Sequence, residues 1–556
     1  MNRIISLGLW LTITAISVFA QPESADWYFE DPASSPYNGI GADRLYAYIG
    51  DVAPSKVVVV AILDSGVDIE HDDLKDNIWV NTDEISGNGI DDDQNGYVDD
   101  LHGWNFLGNA KGENITKETM EVTRLYAYYK KYFANKDLEK LSRKDKELYT
   151  DFLEYERIVQ TKREEANYQI KDLEQNTQFI RQVLDTFNTY YPDQELTPSF
   201  LGSFDPGEHE FLKITKELFK NAREFGLELT TTKDLYIEIE ASYAEVAAQS
   251  RENIDYRYNP DFNSRKIIGD NYDDQEECCY GNNNVRGGFA YHGTHVSGIV
   301  GALWNEKGIN GIARHVRIMP VRTVPNGDEH DKDVANAIRY AVDNGADVIN
   351  MSFGKGQSWN KKVVDDAVRY ARKHDVLLVH GAGNDGANND EVTNFPNAFF
   401  EKHCFLRRKA ADNWIEVGAA SYEGNDKAIA PFSNYGKTQV DLFAPGMYIY
   451  STTPDGTYEY AQGTSMASPV VAGVAAIIRA YFPELRASQV KDILMQSVTP
   501  LQGEVIRPGD YTRMNGSELS RSGGIVNAYQ AFKLAEARAE GKRGAAQKNE
   551  NSKGRA

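Results

Sequence analysis

Four side chains of the 556-residue sequence could together cleave an acyl bond. Asp64 stands in Leu63-Asp64-Ser65-Gly66, and His292 opens His292-Gly293-Thr294-His295-Val296-Ser297-Gly298. Asn384 closes Gly381-Ala382-Gly383-Asn384, and Ser465 lies in Gly463-Thr464-Ser465-Met466-Ala467-Ser468-Pro469. A serine hydroxyl is a weak nucleophile at neutral pH and needs a base within hydrogen-bond reach. An imidazole can take that proton and later return it to a leaving amine. A carboxylate holds the imidazole in the required tautomer and stabilises the imidazolium. An amide side chain can donate to the oxyanion of a tetrahedral intermediate. The backbone N–H of Ser465, at a helix start, can supply the second donor. His295 is read as structural. A zinc reading of the two histidines fails for want of His-Glu-x-x-His.

These residues need elements to bring them together. Val57–Leu63 is a continuous apolar run, the pattern of a strand buried on both faces, and Asp64 follows it directly. Similar runs occur at Val316–Val321, Asp347–Met351, Val376–Val379, Trp414–Ala420 and Val440–Ala444. Between them, Val334, Ala337, Ile338, Ala341 and Val342 repeat at helical spacing before Gly345, and Val363, Val364, Ala367, Val368 and Ala371 do the same. Strand, helix, strand at this spacing predicts an α/β fold with a doubly wound, mainly parallel sheet. In such a sheet the strand C-termini and the N-termini of following helices share one edge, where ligands bind. Asp64 and Asn384 come from strand ends. His292 and Ser465 come from helix starts, so the four converge.

Asp-Ser-Gly, His-Gly-Thr-His-Val-x-Gly and Gly-Thr-Ser-Met-Ala-x-Pro, in that order, resemble the three signature regions of the subtilisin family of serine proteases. The resemblance covers roughly 50–105 and 285–530. It implies a subtilisin-type fold and a serine endopeptidase with Asp64, His292 and Ser465 as triad and Asn384 at the oxyanion. It assigns Ser352-Phe353-Gly354 to pairing with an extended substrate backbone. It assigns Ala382-Gly383 to a wall of the pocket for the side chain before the scissile bond. An esterase of the α/β-hydrolase type conflicts with Gly-x-Ser-x-Ala at Ser465 and with the triad order. A catalytically silent scaffold is disfavoured because all four chemical positions hold competent residues. The sequence departs from the family in its spacing, at one residue near the pocket and at its N-terminus. Asp64 and His292 are 228 residues apart, against about 30 in subtilisin. His380 stands where the family usually has a small residue, which bears on pocket shape.

The expected organisation is a signal peptide at 1–20, the first part of the peptidase domain at 21–117, a helical insert at 118–258, the remainder of the peptidase domain at 259–534 and a disordered tail at 535–556. The signal is read from Arg3, the apolar stretch Ile4–Phe19 and Val18-Phe19-Ala20, with the mature chain starting near Gln21 and no later membrane span. Export follows, to the periplasm, the cell surface or the medium. The short stretch between that start and Asp64 leaves no room for the family's usual inhibitory pro-domain. Asp91-Asp92-Asp93-Gln94-Asn95-Gly96 opens like an EF-hand calcium loop. Asp91, Asp93, Asn95, the Tyr97 carbonyl and Asp99 are its candidate ligands, but position 12 is His102, so a further ligand must come from elsewhere. Calcium is expected as a structural ion, with no catalytic cofactor. Sixty Lys+Arg against 83 Asp+Glu give a net charge of −23, which argues against a nucleic-acid partner. Protein or peptide substrates are expected. Three cysteines exclude a disulfide framework. A bridge from Cys278 or Cys279 to Cys404 and three free thiols both stay open.

Overall fold

Every apolar run named above becomes a strand. The computed structural model describes residues 22–224, 230–401 and 410–553. The signal segment and Cys404 lie outside them. Nine strands form the main sheet: β1 (Val58–Asp64), β2 (Trp104–Asn105), β3 (Val316–Arg322), β4 (Val348–Met351), β5 (Leu377–Gly381), β6 (Trp414–Ala420), β7 (Leu442–Pro445), β8 (Thr499–Pro500) and β9 (Gly524–Ile525). Their order is β8-β9-β7-β6-β5-β4-β1-β3-β2, and every pairing is parallel except β8 with β9. From β1 the chain builds one flank through β2 and β3, then crosses to β4 and builds the other. This reversal puts the crevice outside the C-terminal end of β1, where Asp64 sits.

Both sheet faces are covered. Ala61 and Leu63 of β1 join a buried cluster with Val334, Ile338, Val364 and Val368, from the helices Asp331–Asp343 and Lys361–Lys373. The helices Tyr291–Gly301 and Thr464–Tyr481 also pack on the sheet. The second is long and apolar enough to cross a membrane by composition, yet 89% of it is buried in the protein. It is the core helix, and Ser465 is its second residue.

Two compact units are present, Val122–Phe262 and the rest of the described chain. In the first, the 48-residue helix Arg143–Tyr190 buries Phe152, Val159, Ala166, Leu173, Ile180 and Phe187. The constant seven-residue interval returns one buried side chain to the same face every two turns. Hydrogen bonds from Ser250 to Gln169 and from Thr232 to Asn188, each 2.8 Å, show that the helix Thr232–Glu252 runs antiparallel to it. In the larger unit, buried ion pairs surround the point where the chain departs. Lys355 Nζ meets Glu121 at 2.8 Å and Asp331 at 2.9 Å. The Ser264 hydroxyl, just past the return point, donates to Glu118.

The tail expected to be disordered from 535 begins inside a terminal helix. The helix Ala528–Lys553 continues through it, with Ala528, Ala531, Phe532, Ala535 and Ala539 buried. The stretch lacks large apolar residues, but alanine has the highest helix propensity and a narrow alanine face suffices for packing.

Candidate active site

The four chemical positions lie at the sheet edge that the strand pattern predicts. Asp64, 1% exposed, closes β1. His292 lies in the first turn of its helix and donates from Nδ1 to Asp64, 2.8 Å from Oδ1 and 3.0 Å from Oδ2. The close approach depends on Gly293. A Cβ there would lie 2.2 Å from the Gly66 carbonyl oxygen and 3.1 Å from Asp64 Cβ. Burial alone would push the His292 pKa down. The charge of Asp64 and its hydrogen bond outweigh that, and the net shift is upward. The Asp64 backbone oxygen accepts from Thr323 at 2.9 Å and Val324 at 3.1 Å. Arg322, the β3 partner of Asp64, is buried and donates to Ser65 O at 2.8 Å, Ile115 O at 2.6 Å and Asn105 Oδ1 at 3.0 Å. Burial pushes its pKa down to about 10, so it stays charged at neutral pH.

Ser465 owes its setting to Pro469. A proline four residues on has no N–H to give the Ser465 carbonyl. The Ser352 hydroxyl takes that acceptor instead, at 2.9 Å. The Ser465 hydroxyl donates to the Ser352 carbonyl at 3.2 Å, so its hydrogen bond here is to that oxygen and not to His292. Asn384 Oδ1 accepts from the Thr464 N–H at 2.8 Å and from the Thr464 hydroxyl at 3.2 Å. Its acceptor end is thereby occupied, and Nδ2 is left as a donor at the cavity beside Ser465. The Ser465 N–H, in the first turn, has no intrahelical partner to find.

That cavity is about 420 Å³, lined by Ser352, Phe353, Gly354, Gly383, Asn384 and Ser465 among others. Ala382 is fully buried behind it. Its carbonyl oxygen accepts from Asn389, Asn394 and Asn434. His380 does not line the cavity. It is a buried residue of β5, with Nδ1 2.9 Å from Glu416 Oε1 and its ring 5.1 Å from that of Trp414. His295 is buried with Nε2 3.1 Å from the Glu459 carbonyl oxygen, and burial pushes its pKa down to about 4.

In the acidic loop, the expected ligands divide. Asp93 groups with Glu84 and Asp100, one carboxylate oxygen of each within 4.8 Å of the others. Asp91 instead accepts the N–H groups of Asn95 and Gly96, at 3.0 and 2.8 Å. Asp99 accepts those of Asn88 and Gly89, at 3.1 and 2.9 Å. Asn95 Nδ2 donates to Asp93 and Asp100. The Tyr97 ring is buried, 5.0 Å from Trp104 and 4.9 Å from Tyr340. Burial raises the Asp100 pKa to about 6. Glu84 Oε2 is buried with no hydrogen-bond partner. Glu84 precedes the loop motif and Asp100 follows its first six residues, so the EF-hand template could not have found them. Cys278 and Cys279 pair with each other, a bond between neighbouring residues.

A family model described as the subtilase family matches residues 55–524. Subtilisin DY of Bacillus licheniformis is 38% identical over 214 residues, covering 38% of this chain and 71% of that protein. Subtilisin NAT of Bacillus subtilis subsp. natto is 31% identical over 319 residues, covering 52% and 78%. Among solved structures, a protease of Pseudoalteromonas arctica aligns with a TM-score of 0.36 at 29% identity, over 44% of this chain and 70% of that one.

Proposed function

The chain belongs to the subtilase family, a group of serine peptidases acting on proteins or peptides, and from that premise we propose that it is an exported endopeptidase with Ser465 as nucleophile. The Asp64–His292 hydrogen bond carries this reading. The Ser465 hydroxyl turns from the Ser352 carbonyl to His292 Nε2, which takes its proton as Oγ bonds to the scissile carbonyl carbon. Asn384 Nδ2 and the Ser465 N–H receive the oxyanion. His292 then protonates the departing amine as the C–N bond breaks. Water, deprotonated by the same imidazole, releases the acyl group. Asp64 holds the Nδ1 proton throughout and stabilises the imidazolium. Ser352-Phe353-Gly354 pairs with the substrate backbone, and Gly383 walls the pocket with Ala382 buried behind it. The test is reaction with a fluorophosphonate probe. Labelling of the wild type and none of Ser465→Ala is expected, and labelling retained by the variant would overturn the assignment.

The oxyanion role predicts its own loss. Asn384→Ala should lower kcat by about 10²–10³, a size measured on a subtilisin, with KM little changed. A change confined to KM would give Asn384 a binding role instead.

We also read the Glu84, Asp93 and Asp100 cluster as a structural calcium site. The residues fit the ion: the buried carboxylates of Glu84 and Asp100 meet the half-buried one of Asp93, one of their oxygens is orphaned, and hard oxygen ligands suit calcium. Calcium at a hundredfold excess over its Kd should then stabilise the fold by about 2.7 kcal/mol. Glu84→Gln should lose most of that increment. Calorimetry giving equal Tm values for the wild type with calcium and with chelator would exclude the site.

Export rests on the Arg3, Ile4–Phe19 and Val18-Phe19-Ala20 pattern. N-terminal sequencing of exported protein should begin near Gln21.

A further inference from the structure

Three asparagines decide what the cavity beside Ser465 can accept. Asn389, Asn394 and Asn434 each direct Nδ2 at the Ala382 carbonyl oxygen, at 2.9, 3.2 and 3.0 Å. An amide facing a carbonyl must present its NH₂, because the reversed amide would set two acceptors against each other. The opposite ends are therefore oxygens. Oδ1 of Asn434 accepts from the N–H groups of Asp385 and Ala387, both at 2.9 Å. Oδ1 of Asn389 has no partner, in a residue only 4% exposed that lines the cavity. Oδ1 of Asn394 accepts no hydrogen bond among the described residues.

These side chains pack between the two glycine walls. A Cβ on Gly354 would lie 2.9 Å from both Asn394 Nδ2 and Oδ1, and one on Gly383 would lie 2.4 Å from Asn434 Nδ2. Charge points the same way as the unpaired oxygens. Lys355 is the one ammonium among the described lining residues, and it is held by Glu121 and Asp331. The carboxylate of Asp385 is exposed and meets no cation among the described residues. The cavity thus offers unpaired acceptors and negative charge, and two of its donors, Asn384 Nδ2 and the Ser465 N–H, belong to the oxyanion.

We propose that this cavity selects a lysine or arginine before the scissile bond, with Asn389, Asn394 and Asp385 as the specificity-determining acceptors. The proposal rests on the reading of Ser465 as nucleophile. A buried acceptor left unpaired in the free enzyme gains its donor when a basic side chain enters, and an apolar side chain would leave it orphaned.

The test uses the full chain, titrated with a fluorophosphonate, on peptide amides that differ only in the residue before the cleaved bond. The kcat/KM for Lys or Arg should exceed that for Leu or Phe by about tenfold or more. Asp385→Asn should cut that ratio by about threefold, and Asn394→Leu should cut it further, with fluorophosphonate labelling retained. If Asn394→Leu fails to fold, Asp385→Asn decides alone, since its carboxylate holds nothing together. Labelled enzyme that cleaves equally well or better after Leu or Phe overturns the pocket proposal and leaves the peptidase reading standing. Wild-type protein that does not label removes both.

Discussion

Ser465→Ala should lower kcat by about 10⁶-fold, the loss measured in subtilisin itself for its nucleophile. The size follows from what the hydroxyl does. Without it no acyl-enzyme forms, and the remaining rate comes from the oxyanion donors and from substrate binding acting on water. His292→Ala in the Ser465→Ala background should then cost almost nothing more, because the two residues act as one unit. The fold should barely notice. The Ser465 hydroxyl makes one hydrogen bond, to the Ser352 carbonyl, worth about 1 kcal/mol net. Steady-state rates on a peptide amide, with a thermal melt of each variant, separate the two effects. A rate within about tenfold of wild type in a folded Ser465→Ala protein would mean the nucleophile is elsewhere.

The strands and motif residues were legible in the sequence for a local reason. Buried parallel strands write continuous apolar runs, so Val57–Leu63 and Trp414–Ala420 could be read without neighbours. The motifs were legible because nucleophile, base and turn glycines are fixed by short-range geometry. What escaped was long-range. The Thr464 group that turns Asn384 is 80 residues from it, and Ser352 is 113 residues from the Ser465 carbonyl it occupies. The sequence presents Ser352 as a substrate contact through its backbone, and nothing local shows that its hydroxyl also props the nucleophile turn. Pro469 carried the hint, since a proline inside a helix always frees a carbonyl that something must satisfy. Glu84 and Asp100 escaped for the opposite reason. A template of fixed positions does not suit a loop whose Asp91 and Asp99 carboxylates are engaged with backbone N–H groups. The terminal helix escaped because a packing face built of alanines carries few large apolar residues.

Asp64→Asn should lower kcat by about 10⁴-fold, the cost of the same exchange in a serine protease of another fold. The asparagine keeps the shape but can present an N–H where His292 Nδ1 needs an acceptor, which favours the wrong tautomer. KM should change little, because Asp64 is almost wholly buried and cannot meet substrate. The pH profile separates this role from a merely structural one. The base must be neutral to take the Ser465 proton, so activity falls as pH drops through the His292 pKa. In the wild type that pKa is raised, burial being outweighed by the Asp64 charge and hydrogen bond. The acid limb of kcat/KM should therefore lie above the ordinary imidazole range. In Asp64→Asn the two upward contributions vanish while burial, which lowers the pKa, remains. The residual activity should accordingly show its acid limb at lower pH than the wild type. A limb that stays in place, or moves up, would mean that the imidazole does not feel Asp64. The 2.8 Å contact would then hold the turn together without tuning the base.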